Sequence, residues 1–114
     1  MIEIKHPTAE QKEHLGIKYD AYIAVENNEI LGFCEYYCAD GITHLEKAEC
    51  EETALLDGLI RQTMSSCLDN GCEEAVFTPQ VKKEMVLLKI IKEDDNKLNV
   101  LDFFLKINGC ANIF

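Results

Sequence analysis

The stretch from Ile42 to Thr78 constrains the fold more than any other part of the chain. Ile42-Thr43-His44-Leu45-Glu46 is rich in β-formers and reads as a strand. From Thr53 to Asn70 the period changes: Leu56, Leu59, Ile60, Met64, Cys67 and Leu68 recur at three- and four-residue steps, which places them on one face of a long helix. Asn70-Gly71 supplies a left-handed closure, Ala75-Val76-Phe77-Thr78 is the next strand, and Pro79 ends it. A strand, a helix and a returning strand make a β-α-β crossover, right-handed and parallel by default. The turn into a helix of this kind is where such units hold phosphate, through free backbone N–H groups and the positive end of the helix dipole. Here the turn, Ala48-Glu49-Cys50-Glu51-Glu52-Thr53, carries three glutamates, no glycine and no basic residue. The scaffold suits an anion and the side chains oppose one.

Upstream, the signals are those of an antiparallel meander. Met1 to Lys5 alternates as a short strand, and Thr8 with Gln11 forms a capping-box pattern for a short helix through Leu15. Ala21 to Val25 and Ile30 to Tyr37 are β-rich, and the Asn27-Asn28 pair between them suits a tight hairpin with positive φ. Gly32 inside the second strand marks a bulge or a close backbone approach. Asp40-Gly41 turns the chain into the strand at Ile42. Downstream, Val81, Met85, Leu88 and Ile91 predict a helix from Val81 to Lys92, broken at Asp94-Asp95-Asn96. Val100 to Ile107 predicts a second short helix with Leu101, Phe104 and Leu105 on one face, capped by Asn108-Gly109. Cys110 to Phe114 then reads as a terminal strand. With 114 residues and no internal repeat or linker, the expectation is one domain spanning residues 1–114, of mixed α+β class.

The net charge of −10 repels nucleic acid and anionic membrane surfaces, so neither is an expected partner. No segment approaches the ~18 apolar residues of a membrane span, and Met1 to Lys5 lacks the basic region and apolar run of a signal peptide, so the expected location is the cytoplasm. Six cysteines (Cys34, Cys38, Cys50, Cys67, Cys72 and Cys110) are many for that compartment. No pair has the C-x-x-C spacing and His6, His14 and His44 are scattered, so no metal site is expected. They read as small buried hydrophobes. Cys50, at a helix N-terminus, would gain thiolate character from the dipole, but Glu49, Glu51 and Glu52 oppose it.

The order of elements, a meander, a helix, a strand and a C-terminal helix running into Gly and a strand, resembles the GNAT acyltransferase fold. Tyr22-Ile23-Ala24-Val25-Glu26-Asn27-Asn28-Glu29-Ile30-Leu31-Gly32-Phe33 is similar to the family's second and third strands. Leu55 to Gly71 followed by Cys72 to Phe77 matches its central helix and fifth strand, and Phe103-Phe104-Leu105-Lys106-Ile107-Asn108-Gly109-Cys110 resembles its ending, with one extra residue. The resemblance implies acetyl-CoA as acyl donor, a strand N–H that polarises the thioester carbonyl, and a carboxylate base that acts through water. By position it assigns the cofactor to Leu45, Glu46, Ala54 and Leu55. Glu46 and Glu35 are the candidate bases, with His44 as an alternative. The plainer reading of each is a solvated strand glutamate or a structural histidine.

The departures are specific. The family's loop reads Arg/Gln-x-x-Gly-x-Gly/Ala, and counting back from Leu59-Ile60 puts Glu51 at the basic position, Ala54 at the first glycine and Leu56 at the second. The charge is reversed, a leucine side chain stands at the point of closest approach, and a carboxylate takes the place of phosphate at the helix N-terminus. Phe104, without a hydroxyl, sits where many members carry a tyrosine acid. Two expectations follow: a non-catalytic GNAT-like module that binds a small molecule or a protein, or an N-acetyltransferase acting on a small cationic amine or a protein amine. A missing last strand leaves an edge that a second protomer could cover, so a homodimer belongs to the first expectation. A redox or metal protein built on the cysteines is a third class, and it requires cysteines distant in sequence to converge.

Overall fold

The structure is a computed structural model that describes residues 1–112. Its centre is one mixed sheet of six strands in the order β1-β2-β3-β4-β5-β6. The strands are β1 (Glu3–Lys5), β2 (Asp20–Glu26), β3 (Glu29–Ala39), β4 (Ile42–Cys50), β5 (Glu74–Phe77) and β6 (Leu98–Asn99). The helices are α1 (Ala9–Leu15), α2 (Thr53–Asp69), α3 (Pro79–Leu87) and α4 (Val100–Asn112). Every neighbouring pair is antiparallel except β4 and β5, which run parallel across the α2 crossover.

The local chemistry of the first two thirds acts as the residues predict. Thr8 and Gln11 complete a reciprocal capping box on α1. Asn27 and Asn28 both take positive φ, 52° and 67°, as a two-residue primed hairpin turn requires, and Asp40-Gly41 does the same between β3 and β4. Gly32 serves both purposes considered for it. The β2–β3 register slips by one residue beside it, and a Cβ there would stand 2.6 Å from both the Cβ of Cys50 and the carbonyl oxygen of Glu49. At the end of α2, Gly71 (φ 92°) lets the amides of Gly71 and Cys72 return to the carbonyls of Leu68 and Cys67, a Schellman closure.

Strand alternation divides the apolar residues between two faces. Tyr22, Ala24, Cys34, Tyr36, Leu45 and Ala48 pack with Leu56, Leu59, Ile60, Met64 and Cys67 of α2, and with Val81, Met85 and Val100. Ala21, Ile23, Val25 and Phe33 gather on the other face with Ile17 and Leu15.

The last third departs from expectation. The helix predicted from Val81 to Lys92 starts two residues earlier, because Thr78 caps it and Pro79 fits its first turn, where no N–H is needed. It ends at Leu87: Lys89 takes a left-handed conformation (φ 61°) and the amide of Ile90 closes on the carbonyl of Met85. The turn leaves Leu87 exposed and sends Ile90 and Ile91 into the core. The short strand β6, which the sequence reading does not contain, pairs antiparallel with β5. Asn108-Gly109 does not cap the final helix, which continues through Asn112. Residues 110–112 of the expected terminal strand are therefore helical, and residues 113 and 114 lie outside the described residues. The packed side of α4 is Val100, Phe103 and Phe104, whereas Leu101 and Leu105 face solvent. No helix among the described residues is long and apolar enough to cross a membrane.

Candidate functional site

The site predicted from sequence lies along β4, and β4 carries a bulge in its middle. Glu35 of β3 pairs with Lys47 and Tyr36 pairs with Leu45, so Glu46 is the extra residue. A bulge re-aims side chains and ends regular pairing, and β5 indeed pairs with β4 only from Ile42 to Leu45. Beyond Leu45 the edge of β4 facing β5 has no strand beside it among the described residues.

That edge is nonetheless occupied, by the start of α3. The amide of Thr78 donates to the carbonyl of Leu45 (3.1 Å), and the Thr78 hydroxyl donates to the carbonyl of Glu46 (2.9 Å). The Gln80 carboxamide then mimics a strand. Its Oε1 accepts from the Ala48 amide at 3.0 Å while its Nε2 donates to the Ala48 carbonyl at 2.8 Å. Thr78 also accepts from the Val81 amide, so one residue caps α3 and fastens it to β4. Neither residue stands among the sequence candidates, because Thr78-Pro79 reads equally as the end of a strand. The available signal was a threonine followed by proline, the pattern of an N-cap and first helical residue.

Glu46 and Glu35 come together. Both line a cleft of about 310 Å³ with Gly16, Lys18, Tyr19 and Lys47. The Glu35 side chain is already engaged: its Oε2 accepts from the amides of Lys18 (2.8 Å) and Tyr19 (3.0 Å), tying the loop after α1 to the middle of β3. Glu46 is half-buried. His44 stands outside the cleft. Its ring stacks on Tyr37 with centroids 4.4 Å apart and planes 5° apart, and Tyr19 packs on Tyr37 at 4.7 Å.

The cofactor positions divide. Leu45 is buried in the core and offers only backbone, and its carbonyl is taken by Thr78. Ala54 and Leu55 sit in the first turn of α2. Leu55 lines a cleft of about 340 Å³ with Glu29, Ile30, Leu31, Cys50, Glu51 and Glu52. The carboxylates therefore do face the space beside the helix N-terminus. Two details of the expected loop need correction. Leu56 does not block approach to the turn: it is 4% exposed and points into the core, as its place in the helical period requires. Glu52 occupies the N-cap position but its side chain makes no capping hydrogen bond, so it does not satisfy the first amides of α2. What opposes an anion is charge rather than bulk. Phe104, which by the resemblance stands near a tyrosine position, is half-buried edge-to-face against Phe103 at 5.2 Å.

No protein-family model matches the sequence, and no curated protein is significantly similar to it. Solved structures do resemble the fold. A GNAT-family acetyltransferase from Staphylococcus aureus Mu50 superposes with a TM-score of 0.58 at 13% identity, covering 68% of this chain and 72% of that one. A GNAT-family acetyltransferase from Elizabethkingia anophelis, solved with acetyl-CoA bound, gives a TM-score of 0.59 at 19% identity over 77% of this chain and 72% of that one. Identities this low carry architecture and not activity. The six-stranded mixed sheet with its four helices is a GNAT-like α+β fold.

Proposed function

We propose that this chain is a non-catalytic GNAT-like module that binds a small molecule or a protein partner and has given up acyl-CoA. The observation that carries the reading is the Gln80 carboxamide on both polar groups of Ala48. A thioester ligand held along β4 needs open backbone donors and acceptors beyond the bulge. Here the chain fills those of Ala48 itself, and a ligand would have to displace two formed hydrogen bonds there before making its own. Electrostatics point the same way. Glu51 and Glu52 line the cleft at the α2 N-terminus, and a diphosphate there would meet like charges in a protein of net charge −10. Phe104 offers no proton to a leaving thiolate.

A second reading has its own observation. Glu35 and Glu46 share one cleft, and a half-buried carboxylate at a strand bulge could take a proton from a cationic amine. In that reading the chain transfers an acetyl group from acetyl-CoA to a small or protein-borne amine, with Glu46 as base and Glu35 holding the loop.

A thiol-release assay separates the two. With acetyl-CoA and a panel of polyamines and lysine peptides, the first reading expects free CoA to appear no faster than in buffer. Turnover that disappears in Glu46→Gln would overturn it in favour of the second.

A further inference from the structure

Three cysteines from three different elements meet at one end of the sheet. Cys38 lies near the end of β3, opposite Thr43 of β4, on the face that α2 covers. Cys67 is in the last turn of α2, and Cys72 follows in the loop to β5. The closure of α2, with the Cys72 amide on the Cys67 carbonyl at 2.9 Å, folds that loop back over the helix end. The β3–β4 turn packs against the loop after α2, where a Cβ on Gly41 would stand 3.8 Å from the Gly71 carbonyl oxygen, and Cys38 lies near enough to Cys67 and Cys72 for the thiols to perturb one another. Thr43, whose buried hydroxyl has no hydrogen-bond partner of good geometry, sits among them. Cys67 and Cys72 are buried, whereas Cys38 reaches the surface. All three are free thiols. The convergence that a cysteine-based role demands of residues far apart in sequence is therefore present.

The three are not equivalent. Cys38 alone is open to a soluble reagent. Of its two neighbours, Cys67 is fixed within a helical turn, while Cys72 lies between α2 and β5, so a disulfide to Cys72 asks no helical residue to move toward the short Cβ–Cβ separation it needs. We propose that Cys38 and Cys72 form a reversible dithiol–disulfide site, with Cys38 as the attacking thiol, Cys72 as the resolving thiol, and a low-molecular-weight disulfide such as oxidised glutathione as the oxidant. In the first step the Cys38 thiolate attacks one sulfur of the oxidant, a mixed disulfide forms and one glutathione thiolate leaves. In the second, Cys72 gives up its proton and attacks the Cys38 sulfur. The Cys38–Cys72 bond forms and the second glutathione departs as thiol. Two protein thiols are oxidised by two electrons and one small disulfide is reduced to two thiols. Burial raises the Cys38 and Cys72 thiols above their ordinary value, which lowers the thiolate fraction at neutral pH.

The test is thiol titration of the denatured protein after incubation with oxidised glutathione, followed by mapping. Of the six thiols in the chain, two should be lost and should return with dithiothreitol. Cleavage before Asp69 separates Cys67 from Cys72, and the Cys38 peptide should be joined to the Cys72 fragment. The bond closes a loop through β4 and α2, so oxidation should raise Tm by several degrees. In Cys72→Ser the glutathione should remain on Cys38, whereas Cys67→Ser should still form the bond. Six surviving thiols, a stable glutathione adduct on the unmutated chain, an intermolecular disulfide, or a bond from Cys38 to any cysteine other than Cys72 would overturn the proposal. Mapping of the unmutated protein decides it even if a variant fails to fold.

Discussion

Replacing Gln80 with alanine removes two hydrogen bonds at once and leaves both polar groups of Ala48 without their partner. A neutral hydrogen bond contributes about 0.5–1.5 kcal/mol net, so the pair is worth about 1–3 kcal/mol. The upper end applies where the orphaned groups stay dry. Ala48 itself is 1% exposed, but Gln80 lies at the surface, and water entering the space it vacates would recover part of the loss. About 1–2 kcal/mol is therefore expected, which for a domain of this size lowers Tm by roughly 5–10 °C. Gln80→Glu keeps the acceptor for the Ala48 amide but sets a carboxylate oxygen against the Ala48 carbonyl, and should cost at least as much. The assay is urea and thermal unfolding, with amide hydrogen exchange as the local readout: the Ala48 amide should exchange faster in Gln80→Ala while those of β2 do not. Stability unchanged within about 0.3 kcal/mol, with Ala48 still protected, would refute the idea that Gln80 closes the β4 edge.

The other perturbations concern the parts that frame that edge. Glu35→Ala should cost about 3 kcal/mol, because two backbone amides lose a buried carboxylate, and Glu35→Gln should cost roughly half of that; chemical denaturation measures both. Gly32→Ala should lose about 2–3 kcal/mol in the same experiment, since the new methyl would meet Cys50 and the Glu49 carbonyl at 2.6 Å. Burial pushes the Cys34 thiol from an ordinary value of 9.0 up to about 12. The unfolded chain therefore binds fewer protons than the native one between those values, and stability should fall as pH rises through that window while staying flat below it. Cys34→Ala should make the decline shallower in unfolding curves taken from pH 7 to 11. Part of it should remain, because burial raises Tyr36, Cys38, Cys67 and Cys72 in the same direction.

The fold was legible wherever local chemistry and the global arrangement agree. Asn27-Asn28, Asp40-Gly41 and Gly71 each require a positive φ, and each marks a real turn. The α2 period names the buried residues Leu56, Leu59, Ile60, Met64 and Cys67. After Pro79 the signals fail for identifiable reasons. The α3 closure uses Lys89 in a left-handed conformation, where glycine or asparagine would have announced it. Asn108-Gly109 looks like a stop, yet α4 runs past it. The candidate site was legible as a list of positions but not as a set of partners. Position along β4 found Glu46 and Glu35, and nothing in the spacing tells that Glu35 is spent on the amides of Lys18 and Tyr19. Gln80 was invisible for a similar reason: its role depends on a bulge thirty-odd residues away in sequence, and bulges leave no mark when no glycine sits in them.

Direct titration of acetyl-CoA into the unmutated protein, by calorimetry and by thermal melting, bears most closely on the central claim that the β4 edge and the α2 turn no longer accept this cofactor. The account predicts no saturable heat and no change in Tm up to millimolar acetyl-CoA. Binding at one site, with a stabilisation near the ~2.7 kcal/mol that a ligand gives at a hundred times its dissociation constant, would contradict it.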